Sequence, residues 1–216
     1  MNSTELRDQF RADVVDQMEP FLWSDPEIYD YLDDAQKMFC RLTGGLGDAS
    51  TLLTVLNYTP ASDWVPLSAL ILKLRNAYNV TDGLPIEVIN FEGMAQLRIR
   101  FDGRTGRVKY LITGMEPGKA RLYPAPDAVG TIQLLVDRLP LKTIDDEDQK
   151  LEVADQHKTG LGLWMKSRAY SKQDAETFDR NKAEGFEQKF RVYCADAKKE
   201  KDRAKHKTRV VQYGGL

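Results

Sequence analysis

"SDPEIYDYLDDAQKMFCRLTGGLGDASTLLTVLNY", Ser24 to Tyr58, changes character halfway along. Up to Leu42 it reads as helix: Ile28, Leu32, Ala35, Phe39 and Leu42 recur at intervals of four and three, which places them on one face. Ser24 or Asp25 offers a cap and Pro26 suits a first helical turn, so the start is marked as well. The glycines of "TGGLGD" end the helix. From about Thr51 the texture turns β-branched and aromatic. A helical part therefore hands over to a strand-rich part within this stretch.

Upstream, Leu6, Phe10, Val14 and Met18 predict a first helix, with Asn2 and Glu5 as a capping box and Pro20 as its stop. Downstream, turn signals at "TDG" (Thr81–Gly83), "DGRTG" (Asp102–Gly106) and "EPGKA" (Glu116–Ala120) separate the short strand candidates "LRIRF", "RVKYLI", "ARLYP" and "TIQLLVDRL". The alternation of Leu97, Ile99 and Phe101 with Arg98 and Arg100 predicts a hairpin over Gln96–Ile112. After Leu141 the helical texture returns. The acids Asp145–Asp148 suit a helix N-terminus, with Val153, His157, Leu161 and Trp164 along one face. After a break near Ser171, Ala175, Phe178, Phe186, Phe190, Tyr193 and Ala197 mark a long helix. Each helical end has one apolar stripe and cannot hide it alone. The expected fold is therefore α+β: an antiparallel helical bundle built from both termini (1–48 and 145–208), an inserted antiparallel β-sandwich or barrel-like module (49–144), and an extended tail (209–216).

The 216 residues are 42% hydrophobic and 30% charged with a net charge of −2, as in an ordinary soluble globular protein. The longest uncharged apolar run, around "PLSALIL", is too short to span a bilayer. "MNSTELRDQF" lacks the layout of a secretory signal, and Cys40 and Cys194 read as free thiols in a reduced compartment. Charge is unevenly spread. Met1–Asp48 holds eleven acids and four bases, and Asp196–Arg209 holds seven bases and three acids, which suits different neighbours at the two ends.

The motifs of chemistry are missing. There is no HExxH, CxxC or G-x-S-x-G, and His157 and His206 fall on different helices, the first on an apolar stripe and the second in a charge run. "GMEPGKA" has the wrong spacing for a phosphate loop and Ala120 where a magnesium-binding hydroxyl belongs, so it reads as a β-turn. "GLGDAS" fails the dinucleotide fingerprint, and Asp33 and Asp34 read as a solvated face. No catalytic residue, metal ligand or cofactor is expected, and the chain does not read as an enzyme.

Four ordered stretches carry a resemblance: "WSDPEIYDYLDDAQ" (Trp23–Gln36), "ARLYPAPDAVGTIQLLVDRLP" (Ala120–Pro140), "LGLWMKSRAYSKQDAETFDRNKAEGFEQKF" (Leu161–Phe190) and "TRVVQYGGL" (Thr208–Leu216). Together they resemble the head-to-tail adaptor (connector) proteins of tailed bacteriophages, particularly the short-tailed type. Met165 stands where that family has Ala after Trp, and the resemblance is thinnest over Asn57–Glu92.

The resemblance implies a structural virion protein, present in the host cytoplasm during assembly. It forms a dodecameric ring with neighbouring copies of itself, docks under the portal protein, and offers a platform to tail (nozzle or tail-tube) proteins. Packaged DNA passes through its channel without sequence-specific binding, and no membrane is involved. It also implies a portal-binding role for the C-terminal tail Arg209, Val210, Val211, Gln212, Tyr213, Gly214, Gly215 and Leu216. The alternative is a DNA-binding accessory protein using the basic run Lys198–Arg209.

Overall fold

The computed structural model describes residues 1–60, 62–97, 103–174 and 176–205. The fold is mixed α+β and divides into two units: Met1–Thr43 with the chain from Lys142 onward, and Gly44–Leu141.

The first unit holds α1 (Ser3–Val14), α2 (Asp25–Thr43), α4 (Lys158–Tyr170) and α5 (Arg180–Lys205). α1 starts on the expected capping box: the Asn2 side chain accepts from the Glu5 N–H at 2.8 Å, and the Glu5 carboxylate accepts from the Asn2 N–H at 3.2 Å. It ends at Val14, six residues before Pro20, and the φ of 61° at Val15 takes the chain out of the helix. α2 buries Ile28, Leu32, Ala35 and Phe39, and α4 packs against α1, α2 and α5. Leu161, Met165 and Ala169 of α4 are fully buried, so Met165 is a core residue.

The acids Asp145–Asp148 do not open a helix of their own, as α4 begins only at Lys158. They lie against the start of α1 instead. Ser3 donates its hydroxyl to the Asp146 carbonyl at 2.7 Å and its N–H to the Gln149 carbonyl at 2.9 Å. Asp148 accepts from the Thr4 hydroxyl at 3.0 Å. Negative charge meets the positive end of a helix dipole as anticipated, but the helix is α1, brought there by long-range folding. Asp33 departs from expectation too. It is buried and accepts from the Ile144 N–H at 3.1 Å, and the neighbouring Asp34 accepts from Trp164 Nε1 at 2.8 Å.

The second unit is a curled sheet of β1 (Leu46–Asp48), β2 (Val55–Tyr58), β3 (Trp64–Pro66), β4 (Ile71–Asn79), β5 (Leu84–Asn90), β6 (Tyr110–Thr113), β7 (Lys119–Tyr123) and β8 (Gly130–Arg138), with α3 (Phe91–Gln96) following β5. The path runs β1-β8-β4-β5-β6-β7-β3, and β2 also pairs with β8, beyond β1. β2 packs against β3 at the far end of the path, so the sheet curls round one core. Leu56, Val65, Ala77, Ile86, Leu111, Leu122, Ile132 and Leu134 fill it.

Two register shifts in β4 supply curvature. The sheet is not wholly antiparallel: Glu87–Asn90 pairs in parallel with Tyr110–Thr113. Gln96 ends α3 and Leu97 caps it, so the hairpin expected over Gln96–Ile112 is replaced by a crossover, and residues 98–102 of it lie outside the described residues. "GMEPG" is the β6–β7 turn, with positive φ at Gly114 and Gly118. Asp48, on β1, anchors its strand to Arg138 of β8 through a buried ion pair.

Candidate assembly surfaces

Arg209–Leu216, where a docking segment is expected, lies outside the described residues, as do His206 and Ala175. The helix that leads there is described to Lys205, and its anchoring is unequal along its length. Its first half is held by aromatic contacts: Tyr170 stacks on Phe186 at 6.0 Å, and Trp164 meets Phe190 at 5.0 Å. Further along, Tyr193 lies over Gly160, where a Cβ would come within 2.3 Å of its ring. Its hydroxyl sits 3.1 Å from His157 Nδ1 and 3.2 Å from the Gln156 carbonyl. Burial holds the half-buried His157 below the usual imidazole range, against a smaller opposing effect of Glu200. Cys194 is buried, and burial pushes its thiol up to about 12, which makes it a packing residue rather than a nucleophile.

Beyond Ala197 the anchoring thins. Lys198, Lys199 and Arg203 are exposed, Lys199 pairs with Asp196 one turn back, and Lys201 reaches the Thr43 carbonyl at 3.5 Å. The end of α5 is therefore a cationic rod with little core beneath it.

A second surface, not anticipated from sequence, is the α1–α2 loop. Val15 and Met18 are 85% and 83% exposed, and Phe21 and Leu22 are also exposed. Apolar side chains so close together in sequence rarely face water without a partner. The loop is clamped from below. The buried Asp16 carboxylate accepts from Arg11 Nη1 at 2.8 Å, from the Leu22 N–H at 2.8 Å and from the Trp23 N–H at 3.4 Å. Arg11 also donates to the Trp23 carbonyl at 3.0 Å and to Asp25, while its guanidinium lies 3.9 Å from the centre of the Phe21 ring. Burial pushes the Asp25 carboxyl up, but Arg11 and Arg7 outweigh it and hold it below the usual range. Beneath the loop, buried Trp23 packs edge-on against Phe10 and Tyr170.

The sequence pattern missed this loop because Met18 continues the four-residue spacing of Leu6, Phe10 and Val14. The one local sign was Asp16, an acid placed where its side chain competes for backbone N–H groups.

A third feature is an open cleft between α4 and α5. Trp164, Phe178 and Ala183 give it an apolar lining, and Arg168, Arg180, Glu184 and Glu187 stand around it. Arg168 pairs with Asp34 at 3.3 Å and Arg180 with Glu184 at 2.7 Å. Among the described residues no group of three His, Cys, Asp or Glu could hold a metal ion, and no helix is long and apolar enough to cross a membrane. Among the described residues, the shifts of Asp48, His157 and Cys194 arise from an ion pair with turn hydrogen bonds and from burial.

A family model described as SU10 adaptor protein matches residues 1–212, which takes in every described element of both units. No curated protein matches the chain.

Proposed function

The chain belongs to the SU10 adaptor protein family, and on that premise we propose that it is a non-catalytic structural component of a phage virion at the head-to-tail interface. It forms a dodecameric ring that docks under the portal, extends the DNA channel and provides the platform for the tail. The match over residues 1–212 carries this reading. In it, the helices from both ends of the chain make one bundle, and the β module over 49–144 is an insertion. The cationic end of α5 delivers Arg209–Leu216 to the portal. There a short extended segment pairs with a strand edge or lies in a groove, with Val210, Val211 and Tyr213 as anchors and Gly214 and Gly215 allowing close approach.

Each fully buried apolar anchor contributes about 1.5–3 kcal/mol, and repetition around a ring converts a weak single contact into avid attachment. Mixing the purified chain with portal particles and imaging the product tests the reading. Docking is expected with the full chain and not with one truncated after Lys207. Equal docking by the truncated chain removes the tail from the mechanism. Particles lacking the protein are expected to be DNA-filled heads without tails, and normal virions contradict the adaptor role.

A second reading rests on the exposed Lys198, Lys199 and Arg203 of α5. A DNA-binding accessory protein using this run would lose affinity steeply with salt, because each phosphate contact releases counterions. A flat salt response excludes it.

A further inference from the structure

The hold on α5 just before its cationic end is Tyr193, and that hold runs through one titratable ring. His157 closes the short turn Asp155–His157 and stands at the cap position of α4. Its ring centre lies 4.6 Å from that of Phe39 on α2 and 6.1 Å from that of Tyr193 on α5. Three helices of the unit thus meet at a single imidazole.

The hydrogen bonds there call for a neutral ring. The Tyr193 hydroxyl donates to the Gln156 carbonyl at 3.2 Å, which leaves its oxygen to accept from Nδ1–H at 3.1 Å. The Gln156 side-chain nitrogen, a donor only, lies 3.3 Å from Nε2, which is then the bare acceptor. One nitrogen gives and the other takes, a division that only the uncharged imidazole offers. A proton on Nε2 would set two donors face to face.

The groups around the ring pull both ways. Burial acts most strongly against the cation, and the N-terminal end of α4 adds positive partial charge beside it. Glu200, two turns beyond Tyr193 on the same face of α5, favours the cation, as does the face of Phe39 more weakly. Lys201, next to Glu200, is directed to the Thr43 carbonyl, and Asp155 is taken up by the N-terminal amine at 3.1 Å. Cys40 and Cys194, adjoining Phe39 and Tyr193, are buried thiols. Burial outweighs Glu200.

We propose that His157 is an acid-sensitive latch: neutral, it clasps α5 to the start of α4 at Tyr193, and protonated it lets α5 loosen from Tyr193 to its end. Tyr193 suits the role because its ring fills the room left by Gly160, while little core lies beneath the turns that follow. Since the folded ring titrates below its unfolded value of about 6.5, the latch is whole above that pH and weakens as pH falls. It concerns α5 itself and holds whatever the residues after Lys205 dock on.

Labelling of Cys194 in the full-length chain by a dipyridyl disulfide tests it, read by peptide mapping and referred to the urea-unfolded chain at each pH. Protection is expected to be level above about pH 6.5 and to fall by up to about tenfold per pH unit below it, with helix content by circular dichroism nearly unchanged. His157→Asn places an amide donor near Nδ1 and does not titrate, so its protection should stay level from about pH 7 to about pH 5. An NMR titration of the His157 ring, in a chain carrying His206→Gln, leaves the latch unaltered and should give a midpoint below about 6.5. Level protection in the unaltered chain, an equal slope in His157→Asn, or a midpoint at or above about 6.5 overturns the latch. So does wholesale loss of helix at about pH 5, since Cys194 would then be exposed by unfolding of the whole unit and not by release of α5.

Discussion

Replacing Asp16 by Ala takes the acceptor from three donors at once: Arg11 Nη1 at 2.8 Å, the Leu22 N–H at 2.8 Å and the Trp23 N–H at 3.4 Å. Asp16 and Arg11 are both buried, so water does not fully replace the lost partner. Breaking a buried pair from one side costs about 3–5 kcal/mol, and each orphaned buried N–H about 1–3 kcal/mol. Arg11 keeps the Trp23 carbonyl and Asp25, and the longer bond to Trp23 is weak, which together hold the sum near about 3 kcal/mol. With a urea dependence of about 2 kcal/mol/M, the unfolding midpoint of the helical unit should fall by about 1.5 M. Helix content by circular dichroism follows that unit, and the Trp23 share of the emission, taken as the difference from a Trp23→Phe control that leaves Trp64 and Trp164, reports its loop. Asp16→Asn, which keeps an acceptor but not the charge, should fall between the two. A loss below about 1 kcal/mol for Asp16→Ala, with Trp23 emission unchanged, would refute the claim that this carboxylate holds the loop in place.

Three further outcomes are expected. Burial pushes the Asp48 carboxyl up, but the Ser50 N–H, the Thr51 hydroxyl and Arg138 outweigh it and hold it well below the usual range. The folded pKa is thus depressed, so its contribution is complete above the unfolded value of about 3.9 and drains away as pH falls below it. Urea titrations of the wild type should weaken below about pH 4, and Asp48→Asn should show a shallower acid slope from a lower plateau. Gly160→Ala adds a Cβ 2.3 Å from the Tyr193 ring. Despite the gain in helix propensity, it should cost about 1–2 kcal/mol in thermal or urea melts, and much less in a Tyr193→Ala background. Cys194 should resist thiol reagents in the native protein at neutral pH and react once urea unfolds the helical unit. Rapid native labelling would contradict its burial and its raised pKa.

The α2 stripe, the capping box of α1, the end of α4 at Tyr170 and the "GMEPG" turn were legible in sequence because each rests on residues within a few positions of one another. What sequence left hidden depends on distant partners. Asp145–Asp148 carry the charge of a helix start, but the helix they face lies about 140 positions earlier in the chain, as the Thr4–Asp148 bond shows. Asp33 looks like a surface acid until Ile144 delivers its N–H from more than a hundred residues away. The parallel pairing of β5 with β6 has the same cause. Local alternation signals a strand but not the direction of its neighbour. The expected docking tail was read from family likeness and composition, and it lies outside the described residues.

The α1–α2 loop belongs to another class of hidden feature, since the local rules there point to a structure the chain does not adopt. Leu6, Phe10, Val14 and Met18 specify a helix that would continue past Val15, with Met18 joining the buried stripe. Instead the chain breaks at a β-branched residue with positive φ and places Met18 in water. A chain selected only to fold would gain by putting Gly or Asn at Val15 and a polar residue at Met18, since both changes relieve a local cost. Held beside a clamp of Arg11, Asp16 and Asp25, the exposed tip is ordered at the expense of local propensity. Conflict between local preference and adopted structure concentrates where a surface serves another molecule. On that ground the loop, more than the charged length of α5, is where the described residues depart furthest from local preference.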